Sequence, residues 1–139
     1  MTSAVHYTFA PPDDLPPLVG TALRILGVWS ADSGVRVDDD VLDITYGPWR
    51  LTTPIHNLAS ADVDGPYSPW RAIGPRLSLA DRGLTFGSNT KVGACIRFHH
   101  PVPGIEPTGL LLHPSVTVTV ERPDLLVRCL RRAIDLRRP

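Results

Sequence analysis

The chain has 139 residues with 14 Lys and Arg against 14 Asp and Glu, so its net charge is zero and bulk electrostatics argue against nucleic-acid binding. Its two cysteines, Cys95 and Cys129, lack C-x-x-C spacing, which excludes a secreted disulfide scaffold and places the chain in a reducing cytoplasm. No apolar run approaches the ~18 residues of a membrane span, and residues 1–6 have neither the basic nor the apolar region of a secretory signal.

In chain order, the first 15 residues read as an irregular N-terminal segment with a short strand over 5–9, interrupted at Pro11 and Pro12. Residues 16–26 predict a short helix that starts at Pro16 and Pro17, carries Leu18, Ala22 and Ile25 on one stripe and stops at Gly27. From residue 35 the period becomes two. Val35 and Val37 lead into the turn Asp38-Asp39-Asp40, after which Leu42, Ile44 and Tyr46 alternate with Val41, Asp43 and Thr45. Gly47-Pro48 turns the chain into Trp49, Leu51 and Thr53, and a further strand carries Ala59, Ala61 and Val63. The prolines and glycines of segment 65–76 predict a structured loop or a broken edge.

Residues 77–79 and 84–86 then flank a turn at 80–83, reading as a hairpin, and Val92, Ala94, Ile96 and Phe98 form one face of the next strand. Residues 101–109 read as loop. Val116, Val118 and Val120 alternate with threonines in the clearest strand, and Pro123 opens an amphipathic helix with Leu126, Cys129, Leu130, Ala133 and Ile134 inward. No repeat, linker or low-complexity tract divides residues 1–139, which read as a single domain.

Two resemblances accompany this reading. The string Gly47-Pro48-Trp49-Arg50, Thr53-Pro54, Asn57, Gly65-Pro66-Tyr67, Gly74-Pro75-Arg76, Ser78-Leu79-Ala80-Asp81-Arg82-Gly83, Thr85-Phe86-Gly87 and His113-Pro114 resembles an uncharacterised actinobacterial protein family over about residues 16–134. That family has no assigned activity, so the resemblance implies no function. Successive hairpins, a Val/Thr strand and a C-terminal amphipathic helix also look like the bacterial pleckstrin-homology-like (PH-like) fold. The likeness implies an α+β, predominantly antiparallel β-roll or barrel. It argues against inositol phosphate recognition in the usual place, because the first hairpin turn is Asp38-Asp39-Asp40 rather than basic, and the chain departs from the pattern at Arg122, where such domains place an Asp helix cap.

Few residues suggest chemistry. His6, His56, His99, His100 and His113 show no metal-ligand spacing, and the Asp-rich turns lack the order of a calcium loop, so no cofactor or metal is expected. The stretch 87–93 with Lys91 lacks the phosphate-loop pattern, and neither Cys95, on a strand face with Arg97, nor Cys129 has an assignable base.

Charge is unevenly placed: residues 1–65 hold nine Asp against three Arg, a balance of −6, and residues 66–139 hold ten Arg and Lys91 against three Asp and two Glu, a balance of +6. Either the halves attract each other in the fold or one face is basic.

The remaining set is Trp49, Arg50, Tyr67, Trp70, Arg71, Arg76 and Arg82, residue types that dominate interfaces and grip carboxylates or phosphates. Two readings follow. The first is a non-catalytic interaction module that binds a protein partner and self-associates through a sheet edge. The second is a small-ligand binder or enzyme with a pocket under segment 65–76.

Overall fold

The structure, a computed structural model, describes residues 5–11, 16–65, 74–77 by backbone alone, 83–87, 92–104 and 112–136. The N-terminal strand β1 (Val5–Tyr7) is followed by helix α1 (Pro17–Ile25) and then by β2 (Gly34–Val37), β3 (Val41–Tyr46) and β4 (Trp49–Pro54). These four strands form one antiparallel sheet in the order β1-β2-β3-β4. The strict alternation expected for β3 holds: Leu42, Ile44 and Tyr46 are fully buried while Val41, Asp43 and Thr45 are half-buried.

After Pro54 the Ile55 N–H still donates to the Asp40 carbonyl at 2.9 Å, and a 3₁₀ turn (Ile55–Asn57) then carries the chain out of the first sheet. A second sheet then forms from β5 (Leu58–Asp64), β6 (Gly74–Leu77), β7 (Leu84–Gly87), β8 (Gly93–Pro103) and β9 (Leu112–Val118), in the order β5-β8-β9-β7-β6. Helix α2 (Pro123–Leu136) buries Leu126, Val127 and Leu130 and packs against β5, β8 and the 3₁₀ turn.

The β-roll or barrel implied by the PH-like resemblance does not form. Both sheets are open, α1 separates β1 from β2, and β9 enters the centre of the second sheet by pairing in parallel with β7, with Leu84 opposite Val116 and Phe86 opposite Val118. A chain of successive antiparallel hairpins cannot make that pairing, because a parallel neighbour requires a long crossover. The architecture is α+β, with two sheets over one shared core. Phe86 of β7 stacks on Tyr46 of β3 with ring centroids 5.1 Å apart, Phe9 meets Tyr46 edge-on at 4.9 Å, and the Tyr46 hydroxyl donates to the Gly87 carbonyl.

Other expectations change locally. Strand β8 continues through Pro103, so residues 101–103 are strand rather than loop. Its extension is held by Asn57, a buried side chain that acts as a short length of strand: Nδ2 donates to the His100 carbonyl at 2.9 Å and Oδ1 accepts from the His100 N–H at 2.9 Å. Pro114 lies in central strand β9, where the β8–β9 register shifts and before pairing with β7 begins, so its missing N–H breaks no regular ladder.

The β6–β7 hairpin pairs Gly74–Leu77 with Leu84–Gly87, so its first strand begins earlier than the 77–79 expected; residues 78–82 lie outside the described residues. Val63 and Val92 are exposed, whereas Val116, Val118 and Val120 are buried as their alternation requires.

Candidate functional site

The Gly47-Pro48 turn brings Trp49 and Arg50 to the start of β4. With Gly47 at φ +57° and Pro48 locked at negative φ, the two central residues match a type II′ turn, which suits the right-handed twist of a two-residue hairpin. Trp49 is half-buried, with its ring 6.2 Å from that of Tyr46. Arg50 lies on the outer face of β4, where its guanidinium forks onto Asp43 of β3: Nε to Oδ1 at 2.9 Å and Nη2 to Oδ2 at 2.8 Å. The Thr52 hydroxyl donates to the same carboxylate at 2.8 Å. The Arg50 bonds hold the Asp43 carboxyl below the usual carboxylate range, and Thr52 reinforces them against the opposing effect of partial burial. Arg50 is therefore committed within its own sheet.

Arg76 stands on β6, at the far edge of the other sheet, and ends a row that runs across five strands: Asp62, Cys95, Thr117, Thr85, Arg76. The fold thus places Arg76 and the Trp49–Arg50 pair on different sheets. Tyr67, Trp70, Arg71 and Arg82, with most of segment 65–76, lie outside the described residues.

The histidines divide. His56, His99 and His100 are exposed, and His6 is hydrogen-bonded through Nε2 to the Ser33 carbonyl at 3.0 Å. His113 is fully buried on β9. Among the described residues, no three His, Cys, Asp or Glu side chains stand together so as to hold a metal. The Asp-rich turn spends Asp38 on the backbone, its Oδ1 accepting from the N–H groups of Asp40 and Val41 at 2.8 and 2.7 Å. Cys129 sits beside Tyr7 of β1. Burial, with the thiol's help, pushes the Tyr7 phenol up to about 12.

One ion pair among the described residues joins the oppositely charged halves, Arg131 of α2 to Asp62 of β5 at 2.6 Å. The other two, Arg50–Asp43 and Arg122–Asp124, lie within a half.

One apolar stripe of α1 is left exposed. Helix α1 buries Gly20 and Leu23, so its stripe of Leu18, Ala22 and Ile25 faces solvent, with Leu18 82% and Ile25 80% exposed. Arg24 borders the stripe, its guanidinium 6.0 Å from the centre of the Trp29 ring, and Trp29 Nε1 donates to the Ala10 carbonyl at 3.1 Å. The Leu26 carbonyl lies so close to Gly47 that a Cβ there would come within 2.6 Å of it, setting the end of α1 against the turn that carries Trp49.

A signal for this surface was present in the sequence, since α1 also carries Val19 and Leu23 at helical spacing and a nine-residue helix that buries one apolar stripe leaves the other outside. No family model matches the chain, and no curated protein or solved structure matches it.

Proposed function

We propose that this chain is a non-catalytic interaction module whose protein partner docks on the outer face of α1. The observation that carries the reading is the exposure of Leu18 and Ile25 on a helix anchored from its other side by Leu23. Apolar side chains grouped on one exposed face mark contact surfaces more often than scattered ones do. Arg24 at the margin adds a cation, so the fitting partner presents an apolar ridge with a carboxylate beside it. Two unpaired thiols, Cys95 and Cys129, support a cytoplasmic setting.

A photo-crosslinking side chain placed at position 25 in cells, compared with one at position 128 on α2, tests the proposal. A discrete protein adduct from position 25 alone, lost on Leu18→Asp with the melting temperature unchanged, is the expected result. Equal adducts from both positions, or none from position 25, reject it.

A further inference from the structure

Two open sheets have four edge strands, and each edge presents backbone N–H and C=O groups that invite another strand unless something guards them. Three of the four are guarded. β1 is three residues long, and the chain beyond it is occupied: Phe9 bridges to Val120, the Ala10 N–H donates to the Thr119 carbonyl at 2.8 Å, and the Glu121 N–H donates to the Thr8 carbonyl at 2.9 Å. β5 has a register break between Leu58 and Ser60, lies under α2, and has its Ala61 carbonyl capped by Arg131 Nε at 2.8 Å. β6 is four residues long with Pro75 second.

Among the described residues, β4 has none of these protections. It runs six residues in unbroken register with β3, its proline comes last, and its one cation is neutralised by Asp43. The closing pair of the two-residue turn, Tyr46 and Trp49, exchanges both hydrogen bonds, so residues 49, 51 and 53 face β3. The N–H and C=O groups of Arg50 and Thr52 therefore point away from the sheet, and no described residue meets them.

We infer that β4 pairs antiparallel with β4 of a second copy about a two-fold axis at Leu51. In that register Arg50 of one copy lies opposite Thr52 of the other, and their two N–H and two C=O groups satisfy each other across the interface. The ladder ends where Pro48 of one copy faces Pro54 of the other, two residues with no N–H to leave unpaired. No like charges stand directly opposite each other, because Arg50 faces a threonine and already holds Asp43. This self-complementarity favours a second copy over an unrelated extended peptide. The surface is separate from α1, so the inference stands or falls independently of the proposed partner.

Sedimentation equilibrium of the full chain, with amide hydrogen exchange at the same concentrations, tests it. Dimer mass should rise with concentration, and protection of the Arg50 and Thr52 amides should rise with it. Thr52→Pro removes an outward N–H without touching the β3 ladder and should raise the dimer dissociation constant about tenfold or more. Thr52→Lys keeps the backbone donor, places a cation opposite Arg50 of the other copy and should weaken the dimer if the proline variant fails to fold. A monomer at every concentration, protection of both amides already in the monomer, or a dimer in which they stay unprotected would overturn the inference.

Discussion

At the scale of single residues, three side chains have consequences that follow from their surroundings. Asn57 is buried and makes three hydrogen bonds, two to the His100 backbone and one to the Thr53 hydroxyl at 3.0 Å. Asn57→Ala strands the His100 amide and carbonyl and should cost about 1–3 kcal/mol, read by urea denaturation, with faster amide exchange near residue 100. Asp43 owes its lowered pKa first to Arg50. Arg50→Ala should therefore raise the Asp43 pKa toward the ordinary carboxylate value in an NMR titration. The parent protein keeps this pair's contribution above the unfolded carboxylate pKa and loses it as pH falls through the folded one. Tyr7 has the opposite sign, since its neutral form is the one the fold favours, with a pKa of about 12 against 10 in the unfolded chain. Stability should thus decline as pH rises from 10 toward 12, and Tyr7→Phe should flatten that decline in denaturation curves at alkaline pH.

At the scale of elements, α1 offers a direct comparison between its two faces. Leu23 is 5% exposed and packs in the core, so Leu23→Ala should cost about 2–4 kcal/mol. Ile25→Ala, two residues on, should change stability by no more than about 0.5 kcal/mol, because that side chain already stands in water. Equal losses at both positions would mean that the helix is not seated as described. The β3–β4 turn is as sensitive as the core. A side chain at Gly47 meets positive φ and the Leu26 carbonyl together, so Gly47→Ala should destabilise by about 1–2 kcal/mol from backbone strain alone, with the close approach adding to it. The same substitution loosens the junction between α1 and the Trp49 turn, joining the fold's energetics to the proposed docking face.

At the scale of the whole molecule, the two sheets depend on each other. Phe9, Tyr46, Phe86 and the inward residues of both sheets form one contiguous core, and the Tyr46 hydroxyl bonds one sheet to the backbone of the other. Unfolding should be a single cooperative transition, with calorimetric and van't Hoff enthalpies equal. Tyr46→Phe should lower stability by about 1 kcal/mol, since it removes the inter-sheet hydrogen bond but keeps the ring stacking. Two separated transitions would show that the sheets are independent units.

How much of this was legible in the sequence varies with the range of the interactions. Strand periodicity identified β3, β4, β8 and the valine strand, because alternation records which side of a pleat is buried whatever lies beyond it. Prolines and glycines likewise announced both helix starts and the Gly47-Pro48 turn, since these are constraints on one or two dihedral angles. The candidate site was less legible. The forked Arg50–Asp43 pair follows from strand register, yet Trp49 and Arg50 lie on one sheet and Arg76 on the other, a separation set by the crossover at the 3₁₀ turn.

Local pattern also could not select which of two apolar stripes on α1 would be buried, since both satisfy helical spacing and the choice falls to the core that Leu23 joins. Nor could it reveal that β9 enters beside β7 in parallel, that Asn57 completes a strand 43 residues away, or that among the described residues nothing covers the β4 edge. The sequence by itself determined the elements, through short-range sterics and burial periodicity. Tertiary structure decided their neighbours, because pairing between distant strands depends on the fit of whole faces rather than on any local spacing.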